Sequence, residues 1–435
     1  MQNNLRIIFY EPSGRGGISQ YTYQLAESLA CNGSDVTVVT TEDYELKHLR
    51  RSFKIYTPFT KSWVKSFLNR MFSQIQKKGA SHIDNPNVSN TSYALNHQKK
   101  TVNLLLELIR AWFIRIKIIL FFLLKNPHII HFQWLIDKKN DFYFMKLLKI
   151  LRFTLVYTAH NLLPHDSNVH DNLNMFRKIY CISDKTIVHS ESNKREIVDI
   201  FKIDSKKVYV IPHGSFDLFY TDKNMTKDMA RKKIGVPNRK KVILFFGLIK
   251  KYKGLEYLVY AFQKTKEKLD DIVLLIVGNI SNENNEDFKF YFDLIDQISH
   301  DDDIICVNEY VPFEKINSYF LASDLVVLPY IKTYTSGVLL AAYAAGRPVI
   351  VTDTGALSEV VEVGKSGFIV PPKDVNALAQ AIMKALSEPD QMEEMGNYAK
   401  HLSETVYSWS NIALKTINVY QSLNEQPIMK QIPGQ

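Results

Sequence analysis

Cysteine is scarce in this 435-residue chain. Cys31, Cys181 and Cys306 lie far apart. That spacing excludes a disulfide framework and a cysteine-based metal site, and it points to a reducing compartment. Runs of carboxylates are also few. Asp301-Asp302-Asp303 resembles a metal-binding run, but it precedes the apolar stretch "IICVNEYV". It therefore falls on the N-terminal edge of a sheet, whereas ligands bind at the opposite edge. A solvated loop is expected there, and no metal. The N-terminus "MQNNLRIIFYEP" lacks a basic flank followed by a long apolar run, so no signal peptide is expected.

Uninterrupted apolar runs of membrane-spanning length are missing as well. "LLLELIRAWFIRIKIILFFLL", residues 104–124, is long enough, but Glu107, Arg110, Arg115 and Lys117 break it. Each such charge costs about 2.5–3.5 kcal/mol at the bilayer centre, which argues against spanning. An amphipathic helix lying at a membrane interface fits better. The alternative is a core helix with a charged outer stripe.

The composition is otherwise that of a globular protein, and the length calls for two or three domains. Charge is unevenly placed. Residues 1–130 hold 17 Lys and Arg against 8 Asp and Glu, an excess equal to the +9 of the whole chain. An anionic partner on this third is implied, either a membrane surface or nucleic acid, and no nucleic-acid motif supports the second. "KSWVKSFLNRMF", 61–72, adds basic and aromatic residues.

Short, nearly all-apolar stretches alternate with amphipathic ones. "LRIIFY", "SDVTVVTT", "HIIHFQWL", "TLVYTAH", "KTIVHS" and "KVYVIP" read as strands buried on both faces of a parallel sheet. The pattern restarts with "KVILFFG", "IVLLIVGN", "DIICVNEYV", "DLVVLPY", "RPVIVTD" and "GFIVPP". The expectation is α/β: two doubly wound, Rossmann-like domains with a hinge near residue 220. They span 1–218, with a basic insert at 60–125, and 219–404. A helix at 405–425 follows, which could pack back on the first domain, and then a frayed tail.

Three loops carry phosphate-type chemistry. "EPSGRGGISQ" follows the first strand. Gly14 and Gly16 fit a dinucleotide fingerprint, and Glu42 falls where a ribose-binding acid would sit, but Ser19 occupies the third glycine position. Alternatively Gly16 and Gly17 expose N–H groups at a helix start, where the dipole attracts phosphate; a plain tight turn is the third possibility. In "FFGLIKKYKG", Lys250 and Lys253 follow Gly247 at a strand's C-terminal end, placed to neutralise a diphosphate. In "YIKTYTSGVLLAAYAAG", Thr333, Thr335, Ser336 and Gly337 precede a small-residue helix, where hydroxyls and N–H groups can bind an anion. His160 and His131 end two strands on one crevice edge, and His213 in "IPHG" reads as a turn residue.

These features, with "VIPHGSFDLF" and "GVLLAAYAAGRPVIVTDTGALSEVVEVGKSGFIVPPKD", together resemble the retaining family-4 glycosyltransferases of the GT-B fold. The resemblance covers nearly the whole chain except the insert, and is most specific over 323–374. It implies two domains facing each other across a cleft and a UDP- or GDP-sugar donor held mainly by the second. Gly16 and Gly17 would approach the donor phosphate and sugar. His160 would contact the sugar near the reacting carbon and Lys253 would grip the diphosphate, the pair forming the catalytic assignment. Val311 would hold the base through its backbone, and Glu359 would be structural. Gly247, Lys250, Thr335, Ser336 and Gly337 complete the expected donor site. Arg15 and His131 are the acceptor candidates.

The chain departs from the family at Leu248, where arginine is common, and at Thr333 and Ala341, where the family has paired glutamates. It resembles a subset lacking those glutamates. The implied reaction is hexosyl transfer with retention and without a metal or other cofactor. The acceptor would be a sugar or lipid-linked glycan in bacterial surface-polysaccharide assembly. The protein would be cytoplasmic and peripheral on the inner membrane. A nucleotide-sugar-binding module without catalysis, and less favourably an NAD-dependent oxidoreductase, are the competing readings.

Overall fold

The computed structural model describes residues 5–59, 109, 111–163, 169–216, 224–281 and 285–424. The insert's residues 60–108 and Arg110, the hinge near residue 220 and the tail beyond Asn424 lie outside them. The chain divides into two compact units, Met1–Thr158 with Lys178–Asp184, and Ala159–Arg177 with Lys185–Gln435.

The first sheet comprises β1 (Arg6–Tyr10), β2 (Asp35–Thr41), β3 (Lys54–Phe59), β4 (Ile129–Phe132), β5 (Leu155–Thr158), β6 (Lys185–Val188) and β7 (Val208–Val210). Its order is β3-β2-β1-β4-β5-β6-β7, with parallel pairing. The strand β3 was not expected from the sequence. Its "KIYTPF" carries Pro58 and is partly solvated at the sheet edge, where a missing N–H costs no ladder bond.

The second sheet comprises β8 (Lys241–Phe246), β9 (Ile272–Val277), β10 (Ile304–Val307), β11 (Leu325–Leu328), β12 (Val349–Thr352) and β13 (Gly367–Val370). Its order is β10-β9-β8-β11-β12-β13, again parallel. Alternate residues feed two cores. Val242, Leu244, Val326, Leu328 and Val351 pack on one face; Ile243, Phe245, Leu325, Val327 and Ile350 pack on the other. Side chains alternate across a strand, so a doubly covered sheet must be apolar at every position.

Strand order reverses between β1 and β4 in the first sheet and between β8 and β11 in the second. Loops at such points open a crevice at the strands' C-terminal ends. Helix α1 (Gly16–Cys31) follows the loop after β1. Helices α3 (Leu255–Lys266) and α4 (Gly337–Ala344) follow the loops after β8 and β11. Helix α2 (Glu191–Phe201) follows β6, and α5 (Trp409–Asn424) closes the described chain.

A helical segment at 111–125 belongs to the first unit. Ile118, Ile119 and Phe122 are buried. Arg115 is not on an outer stripe: it is buried and pairs with buried Asp141 at 2.7 Å. Phe113, Ile116, Leu120, Leu123 and Leu124 are exposed instead, Leu124 by 85%. Among the described residues no helix is long and apolar enough to cross a membrane.

Candidate functional site

The glycine turn of the first unit is organised by a residue that sequence reading passed over. Glu11, fully buried, accepts hydrogen bonds from Gly14 N at 3.2 Å, Ser19 Oγ at 2.8 Å and Thr40 Oγ1 at 3.3 Å, and also from Ser13 N and Oγ. Burial raises its pKa to about 7 against the lowering effect of those donors. Gly14 has φ +69°, and a Cβ there would come within 2.3 Å of Thr41 Oγ1, so only glycine fits. Gly16 N donates to Glu45 Oε2 at 3.3 Å, and Gln20 Nε2 donates to Glu45 Oε1 at 3.0 Å. Two carboxylates thus occupy N–H groups that a dinucleotide fingerprint would leave for pyrophosphate. Nothing lies within 4 Å of a Cβ built on Gly16 or Gly17, so the space on that side of both is open, although the Gly16 N–H is itself taken by Glu45. Arg15 is exposed and pairs with Asp43 at 3.6 Å. Glu42 is exposed just past β2.

His131 is placed differently from the expectation that it meets an acceptor. It lies inside β4 with no exposed surface, bonded through Nε2 to Thr158 Oγ1 at 2.7 Å. Burial lowers its pKa to about 3. Strand alternation turned its ring into the core beside Phe9.

In the second unit the loops after β8 and β11 converge. Lys253 is 8% exposed, and burial lowers its pKa. Its Nζ lies 5.2 Å from the Tyr330 ring centroid. A Cβ on Gly247, which has φ +105°, would stand 2.9 Å from Lys253 Nζ and 3.7 Å from Val338 Cγ2. Glycine at 247 therefore makes room for a buried ammonium beside the start of α4. No carboxylate pairs with that ammonium among the described residues. A buried cation without a counterion is costly, so the site is electrostatically matched to an anion. Lys250, Thr335, Ser336 and Gly337 are partly exposed around the same loops. Leu248 is exposed at 36% and Val311 is buried. Thr333, buried, donates to Thr335 O at 2.9 Å, and Ala341 lies within α4 with its side chain buried in the core.

His160, His189 and His213 form a buried row of tilted rings in the second unit, with successive ring centroids 5.0 and 5.3 Å apart. His213 is more than a turn residue, since it also packs on Phe216 at 5.2 Å and meets Trp409 edge-on. Burial lowers the pKa of His189 to about 4 and of His213 to about 3. Glu359 accepts from the N–H groups of Glu191 at 2.8 Å and Ser192 at 2.7 Å, capping α2. The acidic run is ion-paired: Asp301 and Asp303 hold Lys266 at 2.6 and 2.7 Å, and Asp303 also binds Lys240.

Two parallel α/β sheets, each with phosphate-type loops at its switch point, define a GT-B fold. The same architecture occurs in sucrose-phosphate synthase from Thermosynechococcus elongatus (TM-score 0.69, 19% identity, 97% of this chain and 99% of that one). It also occurs in the Anabaena protein HepE, solved in complex with UDP (TM-score 0.68, 16% identity, 96% and 100%). Residues 15–215 match the model for "Glycosyltransferase Family 4", and residues 226–402 match "Glycosyl transferases group 1". The chain belongs to the family-4 glycosyltransferases of the GT-B fold.

Curated relatives include an uncharacterized glycosyltransferase of Methanocaldococcus jannaschii, 32% identical over 241 residues, 54% of this chain and 60% of that protein. A D-inositol 3-phosphate glycosyltransferase of Corynebacterium urealyticum is 29% identical over 249 residues, 56% and 58%. The matched region thus spans less than two thirds of these relatives' length.

Proposed function

We propose that this protein is a retaining, metal-independent glycosyltransferase. It moves a hexosyl unit from a UDP- or GDP-sugar to a sugar or lipid-linked acceptor in surface polysaccharide or glycan biosynthesis. The observation that carries this reading is the buried Lys253 ammonium, seated against Gly247 at the switch point of the second sheet. A nucleoside diphosphate would supply the missing counter-charge. When the anomeric carbon–oxygen bond to the phosphate breaks, charge grows on the leaving diphosphate. Lys253, Lys250 and the N–H groups at Ser336 and Gly337 would stabilise it. The acceptor oxygen bonds to the anomeric carbon, and its proton passes to a leaving phosphate oxygen.

HepE, a protein of the same fold, is solved with UDP and with UDP-glucose, which is in line with a nucleotide-sugar donor. His160 is assigned to the donor sugar, Val311 to the base, Gly16 and Gly17 to the phosphate and sugar, and Arg15 to the acceptor. With Thr333 and Ala341 replacing the usual glutamates, Thr335, Ser336 and Gly337 take over sugar and ribose contacts.

The exposed apolar face at 113–124 is proposed to lie on an anionic membrane, placing the enzyme peripherally on the cytoplasmic face of the inner membrane, near a lipid-linked acceptor. Lys117 and Lys125 lie on the same helical segment, suited to anionic headgroups.

A panel of UDP- and GDP-sugars, read by nucleotide release and mass spectrometry, tests the activity. Release with at least one donor, lost in Lys253→Ala, is expected. Binding without transfer or hydrolysis would make the protein a nucleotide-sugar-binding module instead. Transfer unimpaired in His160→Ala would remove that residue from the mechanism.

A further inference from the structure

The histidine row has a directional hydrogen-bond chain. His189 Nδ1 lies 3.0 Å from the carbonyl oxygen of Ile211, and His189 Nε2 lies 3.1 Å from His160 Nδ1. A carbonyl oxygen only accepts, so His189 Nδ1 carries a proton. In neutral His189, Nε2 is then a lone-pair acceptor, and the bond to His160 needs its proton on His160 Nδ1. Neutral His160 is left with its lone pair at Nε2.

The register of adjacent strands builds this chain. His160 stands just past β5, His189 just past β6 and Ile211 just past β7. The backbone bonds Ala159 N to Ile187 O at 2.8 Å and Ile211 N to Val188 O at 2.9 Å continue the ladder to these three positions. Ring packing against His160 on one side and His213 on the other limits rotation of His189.

We infer that His189 is a positioning residue: it anchors to the Ile211 carbonyl and holds His160 in the Nδ1–H tautomer, so that Nε2 accepts a hydrogen bond from a hydroxyl of the donor sugar. Burial keeps His189 neutral well below pH 6.5, so the direction of the chain is set throughout the neutral range. The sugar contact rests on the glycosyltransferase reading proposed above; the tautomer does not.

Long-range proton–nitrogen NMR of the full chain, with histidine ring nitrogens labelled, reads the tautomer without any substrate. His160 is expected as Nδ1–H in the wild type. It should shift toward Nε2–H in His189→Phe, which keeps a ring but removes the acceptor. His189→Gln, whose amide oxygen can accept, should restore Nδ1–H. In transfer assays His189→Phe is expected to lower kcat about tenfold, the worth of one hydrogen bond, and His189→Gln to recover most of it. Wild-type His160 as Nε2–H, or Nδ1–H persisting in His189→Phe, overturns the inference. So does full transfer by a His189→Phe protein whose tautomer has shifted. A chain that transfers no sugar would defeat the proposed function while the NMR still decides the tautomer.

Discussion

Lys253 Nζ sits 2.9 Å from the point where a Cβ on Gly247 would stand. The glycine just past β8 and the lysine six residues on are thus one steric unit: the ammonium fits there because the glycine has no side chain. Gly247→Ala would force a methyl group into that space and strain a φ of +105°, costing about 1–3 kcal/mol. The expected outcome is a lower unfolding temperature with a raised donor KM. Lys253→Ala should keep the fold and lower kcat/KM by roughly 10²-fold or more. Nucleotide release at varied donor concentration, with thermal unfolding in parallel, measures both.

Two sets of buried groups give stability opposite pH slopes. Glu11 has its folded pKa raised to about 7 from an ordinary 4.5. The folded state binds more protons than the unfolded one between those values, so this contribution is present below pH 4.5 and lost as pH rises toward 7. His189 and His213 are depressed to about 4 and 3 from 6.5. Their contribution is present above pH 6.5 and lost as pH falls toward 4. Denaturant titrations across pH 4.5–8 should show Glu11→Gln steepening the rise of stability with pH and His213→Phe flattening it. Equal slopes in all three proteins would contradict the assignment.

Glu359 accepts from two backbone N–H groups at the start of α2. Removing a helix N-terminal acceptor costs about 1 kcal/mol. Glu359→Ala is therefore expected to lower the unfolding free energy by that amount and leave donor KM unchanged. A large change in KM would give this glutamate a substrate role instead.

The apolar face at 113–124 offers a clean test of membrane contact, because its side chains are already exposed. Phe113→Glu with Leu120→Glu should leave thermal stability within about 0.5 kcal/mol. It should abolish co-flotation with vesicles containing anionic lipid. Wild-type protein that stays unbound to such vesicles would refute the proposed docking.

The two sheets were legible in the sequence because strands covered on both faces are rich in apolar and β-branched residues, and twelve of the thirteen strands among the described residues lie in stretches of that kind. Only edge strand β3, interrupted by Pro58 and half-solvated, did not. The lysine and Ser-Gly loops were legible for a similar reason: glycines, cations and hydroxyls at strand ends are local signals. Burial and pairing were not. His131 and His160 read alike, as strand-end histidines, yet one is sealed between Phe9 and Thr158 while the other joins His189. Glu11 and Glu45 look like ordinary acids, and Arg115 like a surface charge, until folding brings partners from up to 29 residues away. Local composition decides which residues form strands and turns. Which nitrogen carries a proton, and which carboxylate takes an N–H, depends on contacts between strands distant in the chain, and only the tertiary structure supplies those.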